Sequence, residues 1–198
     1  MKSKKIIGVL AFHGDVIEHI ETTKQAAKNL HLNIKVIPVR TKDSLHGLDA
    51  LIIPGGESTT LYKLCGREGM WEKMKRIRNI LGTCAGAIML AKIIHHKTKD
   101  QKTLELMDIE VDRNAYGRQT ESFEKDIKSS LCIIRAVFIR APKIKKVGAK
   151  VNIIAKDNNE IIACEEEIGG KYYLATCFHP ELSSTLFHEY FLQKVFKK

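Results

Sequence analysis

Two short stretches of this sequence hold residue types that can do covalent chemistry. The first is Gly82-Thr83-Cys84-Ala85-Gly86. G-x-C-x-G between a strand-like run and a helical one is the thiol counterpart of the G-x-S-x-G nucleophile elbow. Small neighbours let the backbone bend sharply and hold the central residue in a strained conformation. The sulfur then sits at a helix start, where unpaired N–H groups and the helix dipole favour thiolate over thiol. A cysteine in a glycine turn can equally be a small buried hydrophobe. The second stretch is His179-Pro180-Glu181. In extended chain, residues i and i+2 point the same way, and Pro180 biases His179 toward that geometry. Glu181 is thereby placed to orient the imidazole. A strand-end histidine and a helix-start acid are ordinary features singly. A cysteine activated by a histidine that a carboxylate holds is the logic of acyl transfer.

The elements around these motifs must bring them together. Residues 6–12 form a continuous apolar run, as in a strand buried on both faces. Residues 16–30 follow with Val16, Ile20, Thr23, Ala27 and Leu30 near helical spacing. Strands are expected at 34–39, 50–53 and 80–82, with helical segments around 61–64, at 71–78 and at 87–94. This alternation argues for a parallel sheet covered on both faces. The second half changes character. Residues 131–140, 147–156, 160–165 and 171–178 read as strands without long helices between them. Asp157-Asn158-Asn159 and Gly169-Gly170 read as turns of a meander. Residues 185–196 close the chain as an amphipathic helix. The expected fold is a three-layer α/β/α domain with a mainly parallel central sheet and an antiparallel extension. No linker or repeat divides residues 1–198.

Composition narrows the functional classes. The chain has 198 residues, 44% hydrophobic and 28% charged, so it can bury one sizeable core. The net charge of +10 invites nucleic acid or an anionic surface. The basic residues are scattered, however, and the clusters at 73–78 and 143–150 are broken by apolar residues. Neither nucleic-acid nor membrane binding is expected. Five cysteines, an odd number without a C-x-x-C pair, suggest neither a disulfide framework nor a zinc site. A reducing, cytoplasmic setting follows. Neither a signal peptide nor an apolar run of 18 residues is present. His19, His31, His46, His95, His96 and His188 show no metal-ligand spacing and are read as surface or satisfied residues.

The cysteine and histidine motifs together resemble those of class I, triad-type glutamine amidotransferases. Four further stretches narrow the resemblance to the glutaminase subunit of pyridoxal 5′-phosphate synthase. They are Pro54-Gly55-Gly56-Glu57-Ser58-Thr59-Thr60, Arg113-Asn114-Ala115-Tyr116-Gly117-Arg118-Gln119, Phe138-Ile139-Arg140-Ala141-Pro142 and Phe178-His179-Pro180-Glu181-Leu182. The resemblance spans essentially the whole chain. It implies a flavodoxin-like core, no cofactor, and hydrolysis of L-glutamine to glutamate and ammonia. It also implies a barrel synthase partner that uses the ammonia to build pyridoxal 5′-phosphate. The family's nucleophile falls on Cys84, its base on His179 and its orienting acid on Glu181. Its glutamine contacts fall on Gly56, Glu57, Ser58, Arg113, Ile139 and Arg140.

Residue chemistry fits these roles. Gly55-Gly56 after a strand gives N–H groups that can approach a reacting carbonyl, an oxyanion site. Arg113 offers a planar fork suited to a carboxylate, although by type alone it reads as a surface arginine. Ile139 can act only through backbone or packing, and Arg140 can instead pair with an acidic neighbour. One position departs from the family, whose first strand is followed by Gln-Gly. Here the pair is His13-Gly14, a titratable donor expected near the oxyanion loop and the partner. Two competing functions are the glutaminase of another amidotransferase, such as imidazole glycerol phosphate synthase, and a catalytically silent α/β binding module. The segments at 113–119 and 138–142 disfavour the first, and the intact motifs disfavour the second.

Overall fold

The computed structural model describes residues 4–113 and 122–196. Asn114 to Gln119 of the arginine motif lie outside the described residues. The chain runs β1 (Lys5–Leu10), α1 (Val16–Asn29), β2 (Ile34–Val39) and β3 (Ala50–Ile53). It continues as α2 (Ser58–Arg67), the short α3 (Trp71–Met74), β4 (Asn79–Thr83) and α4 (Ala85–Leu90). Strands β5 (Ala91–His95), β6 (Met107–Asp112), β7 (Phe123–Lys128) and β8 (Ile133–Phe138) follow. Then come β9 (Lys143–Val147), β10 (Val151–Asp157), β11 (Glu160–Ile168), β12 (Lys171–Thr176) and α5 (Leu186–Phe196).

The apolar runs that read as doubly buried strands form the middle of one sheet. Its order is β2-β1-β3-β4-β12-β11-β9-β6-β5, with β10 on β11. From β2 to β12 every pairing is parallel. All four residues of β3 and the last four of β1 and β4 are buried. Helix α1 links β1 to β2 in one direction, and α2 and α3 link β3 to β4 in the other. Right-handed crossovers of opposite direction place these helices on opposite faces. Parallel pairing also brings the loops after β1, β3, β4 and β12 to one edge of the sheet. Such an edge, at a switch in strand order, is where α/β sheets gather ligands.

Beyond β12 the pairings from β11 through β9 to β6 are antiparallel, and the edge strand β5 pairs with β6 in parallel. β11 pairs with both β12 and β10. The Gly169-Gly170 turn has φ +58° and +69°, a two-residue conformation that only glycine adopts freely. β7 and β8 form a separate two-stranded sheet. The three-layer class and the meander are as the sequence suggested, and several boundaries differ. The helix expected at 87–94 ends at Leu90, and residues 91–95 extend as β5 to pair with β6. Pairing with a neighbouring strand overrides local preference there. The helix expected at 71–78 spans only Trp71–Met74, and the strand expected at 147–156 is Val151–Asp157, preceded by a strand at Lys143–Val147 that was not anticipated. Strand β6 alternates Met107, Ile109 and Val111 inward, a period-two signal that the sequence reading passed over. Among the described residues, no helix is long and apolar enough to cross a membrane.

Candidate active site

Cys84 occupies a strained turn between β4 and α4, with φ +49° and ψ −104°. Its N–H donates to the Thr176 carbonyl at 2.8 Å, tying the turn to the end of β12. The flanking glycines are required by close approach. A Cβ at Gly86 would sit 2.1 Å from the Ile53 carbonyl oxygen, and one at Gly82 would sit 2.6 Å from the Gly86 backbone. The elbow anticipated from G-x-C-x-G is therefore built as expected. The Ala85 amide, at the first position of α4, has no intrahelical acceptor. That N–H stands free beside Cys84 among the described residues, a feature that the sequence reading did not name.

His179 follows β12 and is buried, its N–H bonded to the Val137 carbonyl of β8 at 2.8 Å. Its Nδ1 lies 2.8 Å from Glu181 Oε1 and 3.0 Å from Asp15 Oδ2. The opposite nitrogen, Nε2, is buried with no hydrogen-bond partner among the described residues, and Cys84 is one of the groups that favour the charged ring. Burial works against an imidazolium here. Hydrogen bonds to Asp15, Cys84 and Glu181 outweigh it and raise the pKa of His179 well above the ordinary histidine value. Burial likewise opposes the Glu181 charge, but hydrogen bonds with His179 and His19 hold its carboxyl well below the usual range. The ligand atoms of Asp15, His179 and Glu181 gather within 4.8 Å, a donor set that could hold a metal ion. Both carboxylates already engage Nδ1, so the geometry is that of a clamped imidazole.

The loops after β1 and β3 pack on this centre. A Cβ on Gly55 would meet the His179 ring at 2.3 Å, and one on Gly56, whose φ is +118°, would meet His13 Nδ1 at 2.4 Å. A Cβ on Gly14 would lie 2.1 Å from the Gly55 carbonyl oxygen. His13, Gly14, Gly55, Gly56 and His179 thus form one tightly packed patch. The Ile139 carbonyl oxygen lies 3.8 Å from the Cys84 sulfur, so Ile139 contributes backbone. Arg140 has φ +45°, is exposed, and has no acidic partner among the described residues. The ion pair considered for it is not present among the described residues.

The remaining anticipated residues form a second cluster at the start of α2. Glu57 caps the helix, accepting from the Thr59 and Thr60 amides at 3.0 and 2.6 Å. Partial burial works against its charge, but the Thr59 and Thr60 hydrogen bonds prevail and hold its pKa at about 2. Arg113 donates to Glu57 Oε1 at 2.9 Å, to Thr59 Oγ1 at 3.0 Å and to Gln101 Oε1 at 2.7 Å. Gln101, buried, donates from its amide nitrogen to Ser58 Oγ at 2.9 Å. One amide therefore fixes both Ser58 and Arg113.

A family model described as the SNO glutamine amidotransferase family matches residues 9–197. The chain belongs to this family. Pyridoxal 5′-phosphate synthase subunit PdxT of Pyrococcus horikoshii is 44% identical over 197 residues, covering 96% of this chain and 98% of that protein. The PdxT subunit of Methanocaldococcus jannaschii is 46% identical over 198 residues, covering 98% and 100%. A crystal structure described as a glutamine amidotransferase superposes with TM-score 0.81 at 41% identity, covering 96% of this chain and 98% of that one. A putative GMP synthase component from Thermoplasma acidophilum has TM-score 0.64 at 17% identity, covering 98% and 94%, and shares the fold.

Within this amidotransferase, sequence reasoning missed Asp15, His19, Gln101 and His188. His19 and His188, read as surface or satisfied residues, are of the second kind: both are fully buried and hydrogen-bonded. His19 falls four residues before Thr23 on the inward stripe of α1, and that spacing was the available signal. Asp15 and Gln101 sit in loops, where periodicity gives no cue.

Proposed function

We propose that the chain hydrolyses L-glutamine to L-glutamate and ammonia as the glutaminase subunit of pyridoxal 5′-phosphate synthase, acting as one domain over residues 1–198. The buried pairing of a strained Cys84 with a doubly clamped His179 carries this reading, and the PdxT relatives supply the synthase context. The Cys84 thiolate adds to the glutamine carboxamide carbon, and the C=O pair moves onto oxygen. The Gly55-Gly56 loop and the Ala85 amide are the proposed oxyanion donors. His179 gives its Nε2 proton to the leaving nitrogen, which departs as ammonia, leaving a Cys84 thioester. His179 then takes a proton from water, which attacks the thioester, and collapse releases glutamate and the thiolate. Glu181 orients and charges the imidazole throughout.

Gly56, Ser58, Arg113 and the Ile139-Arg140 backbone are the proposed glutamine contacts. Arg113 takes the substrate's carboxylate in place of, or beside, Glu57. The ammonia passes to a barrel synthase subunit docked over the loop edge, with His13 at the junction. Five unpaired cysteines fit a reducing cytoplasm.

The test is co-purification with the barrel subunit, followed by ammonia release from glutamine with and without it. The partner is expected to raise a low basal rate, and a glutamine-mimicking electrophile is expected to label Cys84 while sparing Cys65, Cys132, Cys164 and Cys177. Labelling elsewhere, or no glutamine turnover in the complex, overturns the reading.

A further inference from the structure

Behind the proposed Cys84–His179–Glu181 set lies a polar chain that the hydrolysis mechanism does not use. His19, on α1, is fully buried. Its Nε2 lies 3.1 Å from Thr83 Oγ1 and 3.3 Å from Glu181 Oε2. Its Nδ1 lies 2.9 Å from Nε2 of His188, on α5, which is also fully buried. Thr83 immediately precedes Cys84, so His19 touches both arms of the site. Its own backbone carbonyl accepts from Thr23 Oγ1 at 2.6 Å, which fixes that turn of α1.

The environment selects one arrangement of protons. Burial, reinforced by nearby His19 and opposed by Glu181, pushes the pKa of His188 down to about 3, so its ring is neutral near pH 7. A neutral His188 can donate from Nε2 to His19 Nδ1, which leaves the His19 proton on Nε2, facing Glu181 and Thr83. A buried carboxylate with one oxygen on His179 needs a positive or donating group at the other, or its charge is poorly compensated. Glu181 Oε2 is buried and makes no hydrogen bond of ordinary geometry among the described residues, and His19 Nε2, 3.3 Å away, is the donor that faces it.

We propose that His19 is a positioning residue that keeps Glu181 ionised and turned with Oε1 toward His179, its tautomer set by His188. The effect reaches Cys84 in two steps. A less well-held Glu181 stabilises the His179 imidazolium less, and a weaker imidazolium supports the Cys84 thiolate less. The groups involved come from every element packed on His19: Thr83 from β4, His188 from α5, and Glu181 from the turn Pro180–Leu182. Asp15 and Cys84 act through His179. The inference rests on the glutaminase reading only for the meaning of the reaction, since its readouts need no substrate.

The test compares His19→Leu, His19→Gln and His19→Asn. A glutamine amide nitrogen reaches about as far as histidine Nε2, whereas an asparagine amide stops near Nδ1. Two readouts are used: the rate of Cys84 alkylation by iodoacetamide at pH 7, read by peptide mass, and the NMR titration of His179. His19→Leu and His19→Asn are expected to slow alkylation about tenfold and to lower the His179 midpoint by about one pH unit. His19→Gln is expected to stay within about threefold of the unmodified chain. If His19→Leu fails to fold, the Gln–Asn pair decides. Wild-type behaviour in His19→Asn, or equal impairment of His19→Gln and His19→Asn, overturns the proposal. Failure of the complex to consume glutamine, with the His19 pattern intact, overturns the glutaminase reading alone.

Discussion

Two polar clusters hold the proposed site residues, and they are built on opposite terms. His179, Glu181, His19 and His188 come from separated parts of the chain and are almost inaccessible to water. Glu57, Ser58, Arg113 and Gln101 surround the start of α2, with the Glu57 side chain 41% exposed. In the first cluster, losing one partner strands a charge in a dry interior, so its geometry is fixed before any ligand arrives. In the second, solvent can compensate an exchanged partner. Arg113 can therefore trade Glu57 for another carboxylate at low cost. The proposed base is held by burial, and the proposed carboxylate receptor is left free to swap.

The sharpest way to break this contrast is at the first cluster. Cys84→Ala is expected to reduce ammonia release by several orders of magnitude, with His179→Ala close behind. A Cys84→Ala protein with substantial turnover would remove the buried cluster from the chemistry. Glu181→Gln is expected to be milder than His179→Ala, with a kcat loss of about a hundredfold, because Asp15 still reaches Nδ1 at 3.0 Å. Adding Asp15→Asn should then cost more than the product of the two single losses. Independent losses would mean that Asp15 does not share the clamp.

The second cluster should respond differently. Gln101→Leu leaves the Ser58 hydroxyl and one Arg113 N–H short of a partner. Its expected signature is a KM for glutamine raised about tenfold with kcat within about twofold. A fall in kcat at unchanged KM would show that the two clusters are not separable.

The smallest expected effect is on stability. Burial and nearby His19 lower the pKa of His188 from 6.5 to about 3, with Glu181 working the other way. Between those pH values the unfolded chain binds a proton that the folded chain does not. The stability contribution is therefore present above about pH 6.5 and lost progressively as pH falls toward 3. His188→Leu should flatten the pH dependence of the urea midpoint across that window. An unchanged slope would place the acid sensitivity elsewhere.

The legible and illegible parts of the sequence divide along the same line. Cys84 declares itself through glycines that no other residue can replace, and His179 and Glu181 through a two-residue spacing with proline between them. The parallel strands show as continuous apolar runs because both their faces are covered. His19 carries only its helical spacing with Thr23 and His188 carries no such mark, because a polar side chain does not reveal whether it is buried. Only pairing across 169 residues makes them a unit. Residues 91–95 read as helix until β6 is there to pair with them. Arg113 was picked out by the family motif it opens, since by type alone it reads as a surface arginine, and the Gln101 contact that orients it lies in a stretch without periodicity.

Helix α5 follows every other described element in the chain, and it carries the ring that abuts His19. During synthesis the elbow, the base and its acid all emerge before that ring does. A partly made chain can present Cys84, but with nothing against His19 Nδ1 the acid behind the base is not locked in place. Under the proposed mechanism, a chain still lacking α5 keeps its nucleophile but loses support behind the base, so its thiol is expected to react more slowly than in the finished domain.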